Sequence, residues 1–206
     1  DVNTTPYWHP GLDREQRSRK NFHIQMTHGL WNDATVNTAS DDRDPLPRTL
    51  PDGRGYAEED QSAIFWNELG PNNRSMADIA FHYWATDLRP DFMDDPQTAL
   101  KVRPYLADRS TNLWGPALGA GDNPLDNKEI YWNPANDPAT WPHLVQFMIG
   151  FGVSGTINKT AANLLKLREG EIQWPTTVLG TDDGRKIDDM WHAAINSRGQ
   201  FFAASN

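Results

Sequence analysis

The 206-residue sequence contains no cysteine. A disulfide scaffold, a zinc–thiolate site and a cysteine nucleophile are therefore excluded. No apolar run approaches the ~18 residues of a membrane span. No cationic and apolar leader opens the chain, which starts at Asp1 and reads as a mature product or a fragment. Positive charge is scarce: 19 Lys and Arg face 28 Asp and Glu, for a net charge of −9. That balance argues against nucleic acid as a partner, because neutralising phosphates takes clustered cations. The one tight basic group, Arg14, Arg17, Arg19 and Lys20, is expected to form a solvated face. Apolar residues make up 37%, below the roughly 45–50% usual in globular chains. The core should be modest and the loops long. Nine Trp, eight Phe and five Tyr are nonetheless too many for a disordered chain.

Against that background a few segments carry order. Phe22, Ile24 and Met26 alternate with His23 and Gln25, the period of a half-buried strand over Asn21–Thr27. Asn37–Gly55 holds Asp41, Asp42, Asp44 and Asp52 with Pro45, Pro47 and Pro51, and reads as a long surface loop. Ser75 and Asp78 form a capping box ahead of a helix that ends before Pro90, with Met76, Ile79, Ala80 and Tyr83 at helical spacing. Leu144–Phe151 is apolar except at Gln146 and Gly150, the pattern of a central parallel strand covered on both faces. Thr160–Leu167 suits a short helix. Ile187–Ile195 suits a second, with Ile187, Met190, Trp191, Ala194 and Ile195 on one face. Phe201–Ala204 can close as a strand. Residues 34–74 and 90–142 read as loop-rich insertions.

The motifs point weakly to chemistry. Gly150-Phe-Gly-Val-Ser-Gly155 matches G-x-G-x-x-G directly after a strand. It could cradle a dinucleotide pyrophosphate, with Glu169 or Glu171 near the expected distance for a ribose contact. No clear helix opens inside it, so a structural glycine turn is the favoured reading. Six dispersed histidines, His9, His23, His28, His82, His143 and His192, show no metal-ligand spacing. Ser154 lies outside a G-x-S-x-G elbow. Asp41, Asp42 and Asp44, like Asp182, Asp183, Asp188 and Asp189, do not fit a calcium loop and are expected as solvated charges. Exposed tryptophans such as Trp114 or Trp132 could stack on sugars, whereas Trp191 is expected in the core.

Four segments together resemble one family. They are Arg19–Asn32 (RKNFHIQMTHGLWN), Met76–Pro90 (MADIAFHYWATDLRP), Trp141–Thr156 (WPHLVQFMIGFGVSGT) and Ile187–Phe202 (IDDMWHAAINSRGQFF). In this order they resemble the PilY-type, or PilC-type, type IV pilus tip adhesin and assembly proteins. The resemblance implies an α/β fold: the later part of a von Willebrand factor A-like, Rossmann-like doubly wound sheet, incomplete and carrying long loop insertions. It places the family's metal-site strand end at Thr27 and His28. There His28 stands where the family has aspartate, and no D-x-S-x-S occurs in the chain. A hard cation prefers oxygen ligands, so any Ca²⁺ or Mg²⁺ would belong to a full-length parent with a complete amino-terminal half and a carboxy-terminal propeller.

The function this resemblance implies is that of a non-enzymatic module. It would act in surface attachment, pilus biogenesis and twitching motility, at the pilus tip or bacterial cell surface. Minor pilins or other pilus components would be its partners, with a host-surface receptor or glycan as a further target and no nucleic acid. The alternatives are a nucleotide-binding α/β enzyme using Gly150–Gly155, or a carbohydrate-binding module.

Overall fold

A computed structural model describes residues 7–9, 11, 14–15, 19–28, 48–56, 62–69, 75–90, 101–107, 124–176 and 182–204. Among these, the strands in chain order are β1 (Trp8–His9), β2 (Arg14–Glu15), β3 (Asn21–Thr27), β4 (Arg48–Thr49), β5 (Gly55–Tyr56), β6 (Tyr105–Leu106), β7 (Asn136–Asp137), β8 (Leu144–Phe151) and β9 (Phe201–Ala204). The α-helices are α1 (Met76–Ala85), α2 (Lys128–Tyr131), α3 (Ala161–Glu169) and α4 (Arg185–Asn196). The fold is mixed α/β. Its centre is a three-stranded sheet in the order β3–β8–β9, parallel throughout. The other strands form two-residue antiparallel pairs, β1 with β2, β4 with β5 and β6 with β7.

Helix α1 starts where the capping box placed it. The Ser75 hydroxyl accepts from the Asp78 amide at 3.1 Å, and Asp78 accepts from the Ser75 amide at 2.6 Å. A second acid finishes the cap: Asp189 of α4 accepts from the amides of Met76 and Ala77, each at 3.0 Å. The orphan amides of the first turn are thus satisfied by two helices acting together. The buried face of α1 is Ala77, Ala80, Phe81 and Trp84, while Tyr83 is exposed. The expected stripe through Met76, Ile79 and Tyr83 is therefore displaced, because α4 packs along the neighbouring face.

Helix α4 is central, with eleven of its twelve residues buried. Its burial explains a correction to the sequence reading. Asp188 and Asp189, expected as solvated charges, are buried and serve as caps. The turn after α4 presses so close to β8 that a methyl at Gly199 would collide with the Gln146 backbone. The Ser197 hydroxyl accepts from the Gln146 amide at 3.0 Å, which fixes that contact.

The core is aromatic. Tyr56, Phe65, Phe81, Trp84, Tyr131, Trp132 and Trp141 pack edge-to-face or tilted, with ring centroids such as Tyr56–Phe81 at 5.3 Å and Trp84–Trp141 at 5.5 Å. Such contacts add ~0.5–1.5 kcal/mol each beyond their buried area. Leu50 and Tyr56 join this core, so the carboxyl end of the expected surface loop 37–55 is a hairpin, exposed or half-buried at its other residues but anchored through Leu50. Residues 37–47 lie outside the described residues. Within 90–142, read as loop-rich, the described part contributes α2 and the buried Tyr131, Trp132, Ala139 and Trp141. The Arg198 guanidinium lies over Phe65 at 3.9 Å and over Trp84 at 4.4 Å, and burial lowers its pKa to about 9.

Strand β8 departs from the expectation of two covered faces. Gln146, Met148 and Gly150 are buried beneath the helices, whereas Phe147 and Ile149 are half-buried and Phe151 is exposed. The parallel register sets Phe22, Ile24 and Met26 beside Val145, Phe147 and Ile149 on that second face. Among the described residues, α1 and α4 both contact β8 and pack on each other, leaving the second face without a helix.

Candidate functional site at the carboxyl edge of the sheet

In open α/β sheets ligands bind outside the carboxyl ends of the strands. Here that edge is formed by Thr27 and His28 after β3, the glycine turn after β8, and Ala204 at the end of β9. Thr27 is half-buried and pairs in register with Gly150; His28 is exposed. Among the described residues no group of three or more His, Cys, Asp or Glu side chains could hold a metal ion. Asp41, Asp42 and Asp44 lie outside the described residues.

The glycine turn is built around one carboxylate. Gly152 adopts φ +64°, and its amide donates to the Ala204 carbonyl at 2.8 Å. Asp188 then fills the concavity that follows. It accepts from the Thr156 amide at 2.9 Å, the Thr156 hydroxyl at 2.5 Å and the Ile157 amide at 3.1 Å. Gly155 has to be glycine for packing, since a methyl there would meet the Asp188 carboxylate. The first two amides beyond the motif, those of Thr156 and Ile157, are thus taken by an intramolecular anion, whose charge would also repel a phosphate placed at the turn. No helix starts inside the motif either: α3 begins at Ala161 with Thr160 as its cap. Glu169 and Glu171 are exposed at the far end of α3.

Beside the turn lies a hollow of about 100 Å³, lined among others by Val153, Ile157, Lys159, Trp191 and Phe201. Small-molecule pockets run to ~300–1,000 Å³, so this one suits a few waters. The Lys159 ammonium donates to the Phe201 carbonyl and stands 5.2 Å from the Phe201 ring; burial lowers its pKa.

The buried polar network lies elsewhere and was not legible in the sequence. Asp137 accepts from Lys20 at 3.0 Å and from His143 at 3.1 Å. Burial alone would raise its pKa, but His143 and Lys20 outweigh that and hold it at about 2. Lys20, expected on a solvated basic face, is therefore half-buried in an ion pair. The side chains of Arg14 and Arg17 lie outside the described residues. On α4, the Nδ1 of His192 faces Glu68 at 3.1 Å, its Nε2 faces the Phe65 carbonyl at 3.2 Å, and its ring stacks on Trp174 at 4.6 Å.

The tryptophans do not form a sugar platform among the described residues. Trp132 is 2% exposed and Trp191 is in the core as expected; Trp114 lies outside the described residues. His23, at 3.4 Å from Gln146, and His82 stand apart from any ligand set.

No family model and no solved structure matches this chain. Curated proteins do. The type IV pilus biogenesis factor PilY1 of Pseudomonas aeruginosa strain PAO1 is 33% identical over 213 residues, covering 98% of this chain and 16% of the relative. PilY1 of strain PAK is 33% identical over 211 residues with the same coverage. PilY1 of strain UCBPP-PA14 is 35% identical over 197 residues, 91% of this chain and 14% of the relative. The chain thus spans about one sixth of the length of the relatives it matches. No helix among the described residues is long and apolar enough to cross a membrane.

Proposed function

We propose, from a chain that belongs with the PilY1-type pilus factors as one segment of their length, that it serves as a non-enzymatic module in type IV pilus biogenesis. The observation that carries this reading is identity of 33–35% sustained over nearly the whole chain. At the carboxyl edge Asp188 already caps the amides of Thr156 and Ile157, which weighs against the alternative of a nucleotide held there.

The finer reading is an adhesin and assembly module at the pilus tip, outside the cell, within a von Willebrand factor A-like sheet. Its partners would be minor pilins or other pilus components, with a host-surface receptor or glycan as a second target. Recognition would fall to polar loops held on the rigid sheet, where binding residues concentrate.

The test is genetic and structural together. Removing this segment in frame from its natural gene should abolish or sharply reduce surface pili, measured as pilin in a sheared surface fraction. Normal piliation would refute the reading. The adhesin reading needs a narrower change. Replacing residues 37–47 with a Gly-Ser linker of equal length should reduce attachment while piliation persists. Residues 48–55 must stay, because Leu50 and Tyr56 belong to the core. Unaltered attachment would sink the loop's role.

A further inference from the structure

Strand β9 ends the sheet on the side away from β3, and its outer edge has no neighbouring strand among the described residues. The ladder fixes which main-chain groups that edge presents. The Met148 amide donates to the Gln200 carbonyl at 3.0 Å, and the Gly152 amide to the Ala204 carbonyl at 2.8 Å. Successive residues of a strand aim their main-chain groups to opposite sides. Gln200, Phe202 and Ala204 therefore turn toward β8, while Phe201 and Ala203 turn outward. Lys159 marks the same direction independently, since its ammonium donates to the Phe201 carbonyl. The amide and carbonyl of Ala203 meet no partner among the described residues.

The ground beside that edge is already built. The hollow of about 100 Å³ is lined by Val153, Ile157 and Lys159 of the loop after β8, by Trp191 of α4, and by Phe201 and Ala203 of β9. It thus adjoins the outward-turned Ala203. Asp188 fastens the loop through Thr156 and Ile157. The wall of the hollow stands in place before any partner arrives, which spares a ligand the entropy of ordering it. A space of this size is too small for a cofactor and large enough for one aliphatic side chain.

Lysine at a sheet edge ordinarily guards against unwanted pairing. Lys159 guards only in part: it covers one carbonyl and leaves the Ala203 groups beside it bare. It also lacks a counter-ion. Burial is the one influence on its pKa, with no carboxylate acting on it. The acid that shares its hollow, Asp188, is engaged by Thr156 and Ile157. A partly desolvated ammonium held only by a carbonyl gains from an added carboxylate, because charge-assisted hydrogen bonds are the stronger kind.

We propose that the outer edge of β9 is a strand-addition site for an extended acidic peptide of another protein. The added strand bonds Ala203 through its main chain, seats one aliphatic side chain in the hollow and meets Lys159 with a carboxylate. Main-chain bonds supply affinity in this mode of recognition, and side-chain pockets supply specificity. The inference does not rest on the proposed function, and no pilus phenotype enters its test.

The probe is a displayed library of short random peptides, panned on the purified natural full-length protein. Enriched sequences are remade as free peptides and titrated by fluorescence anisotropy. They should combine acidic with aliphatic residues. Lys159→Glu should weaken their binding by about tenfold or more, because it sets like charges together. Ala203→Pro should abolish it. Proline removes an outward amide that the β8 ladder does not use, so this variant should keep its thermal midpoint. If its midpoint falls instead, Lys159→Glu, at an exposed position, decides alone. A library without enrichment overturns the proposal. So do enriched peptides that bind the Lys159→Glu protein as tightly as the wild type, or that bind a folded Ala203→Pro protein undiminished.

Discussion

Asp188 on α4 reaches the loop after β8 and binds Thr156 twice, at its amide and at its hydroxyl, 2.9 and 2.5 Å away. This one carboxylate decides what the glycine-rich turn is. The same G-x-G-x-x-G spacing that elsewhere exposes amides to a phosphate is followed here by the amides of Thr156 and Ile157, which fold onto an acid of the chain's own helix. Gly155 then serves close packing against that acid, and Gly152 serves a left-handed turn.

Asp188→Ala should therefore act on stability. It leaves two backbone amides and a hydroxyl without their charged acceptor, a loss of about 2 kcal/mol. A urea midpoint shift would report it. Millimolar NAD or ATP should leave the thermal midpoint of the wild-type chain unchanged. A clear upward shift with either nucleotide would refute the capped-turn account.

Two buried groups on α4 should oppose each other in acid. Burial raises Asp189 to about 6 and lowers His192 to about 4. Between its ordinary 3.8 and 6, folded Asp189 holds a proton that the unfolded chain releases, so this group favours folding at the acid end of that window and loses the benefit as pH rises. Between 4 and 6.5 the unfolded chain protonates His192 and the folded chain does not, so this group favours folding at the upper end. Wild-type stability should be nearly flat from pH 4 to 6. His192→Gln should unmask Asp189, with stability rising by about 2 kcal/mol as pH falls across that range. Asp189→Asn should do the reverse. Parallel pH profiles for the two variants would refute the pairing.

The turn at Gly199 gives a sharper steric test. Its α-carbon lies against the Gln146 backbone, which cannot rotate away as a side chain could. Gly199→Ala should lose about 2 kcal/mol or more through a forced backbone shift. Gly53→Ala meets no atom within 4 Å but requires φ +86°, so its penalty should be conformational only, about 1 kcal/mol. Equal effects at the two sites would mean that β8 can yield.

What the sequence made legible followed from periodicity and end signals. The strands over Asn21–Thr27 and Leu144–Phe151 and the Ser75–Asp78 box each depend on residues within a few positions, although the half-buried reading of Asn21–Thr27 is corrected by the exposure of Phe22, Ile24 and Met26. The family resemblance of the four segments agrees with the 33% identity to PilY1 across the chain. What stayed hidden depends on distant partners. Asp188 and Asp189 look like solvent charges until their helix is known to be buried on nearly every side. Lys20 looks like part of a basic face until Asp137, 117 positions away, is placed beside it. Trp132 looks available for a sugar until Tyr56, Phe65 and Trp84 surround it. The open sheet face was masked by a strand pattern that is the same whether the second layer is present or not.

Arg198 offers the most discriminating experiment on the core. Its guanidinium lies 3.9 to 5.3 Å from the rings of Phe65, Trp84 and Trp132, and its three nitrogens make no hydrogen bond among the described residues. Desolvating a cation costs several kcal/mol, while a desolvated cation over an aromatic face recovers ~2 kcal/mol. Coulomb attraction from Asp137 adds to the recovery. These terms nearly offset, so what the side chain chiefly supplies is volume between three rings. Arg198→Met keeps most of that volume and should change stability by only about 1 kcal/mol. Arg198→Ala opens a cavity and should lose about 4 kcal/mol. Arg198→Gly opens the same cavity but relieves the φ of 63°, so it should recover about 1 kcal/mol relative to alanine despite glycine's usual penalty. Denaturant titration of the three variants separates volume, charge and backbone. If the methionine variant proves as unstable as the alanine one, the cation itself holds the aromatic core together, and the volume argument fails.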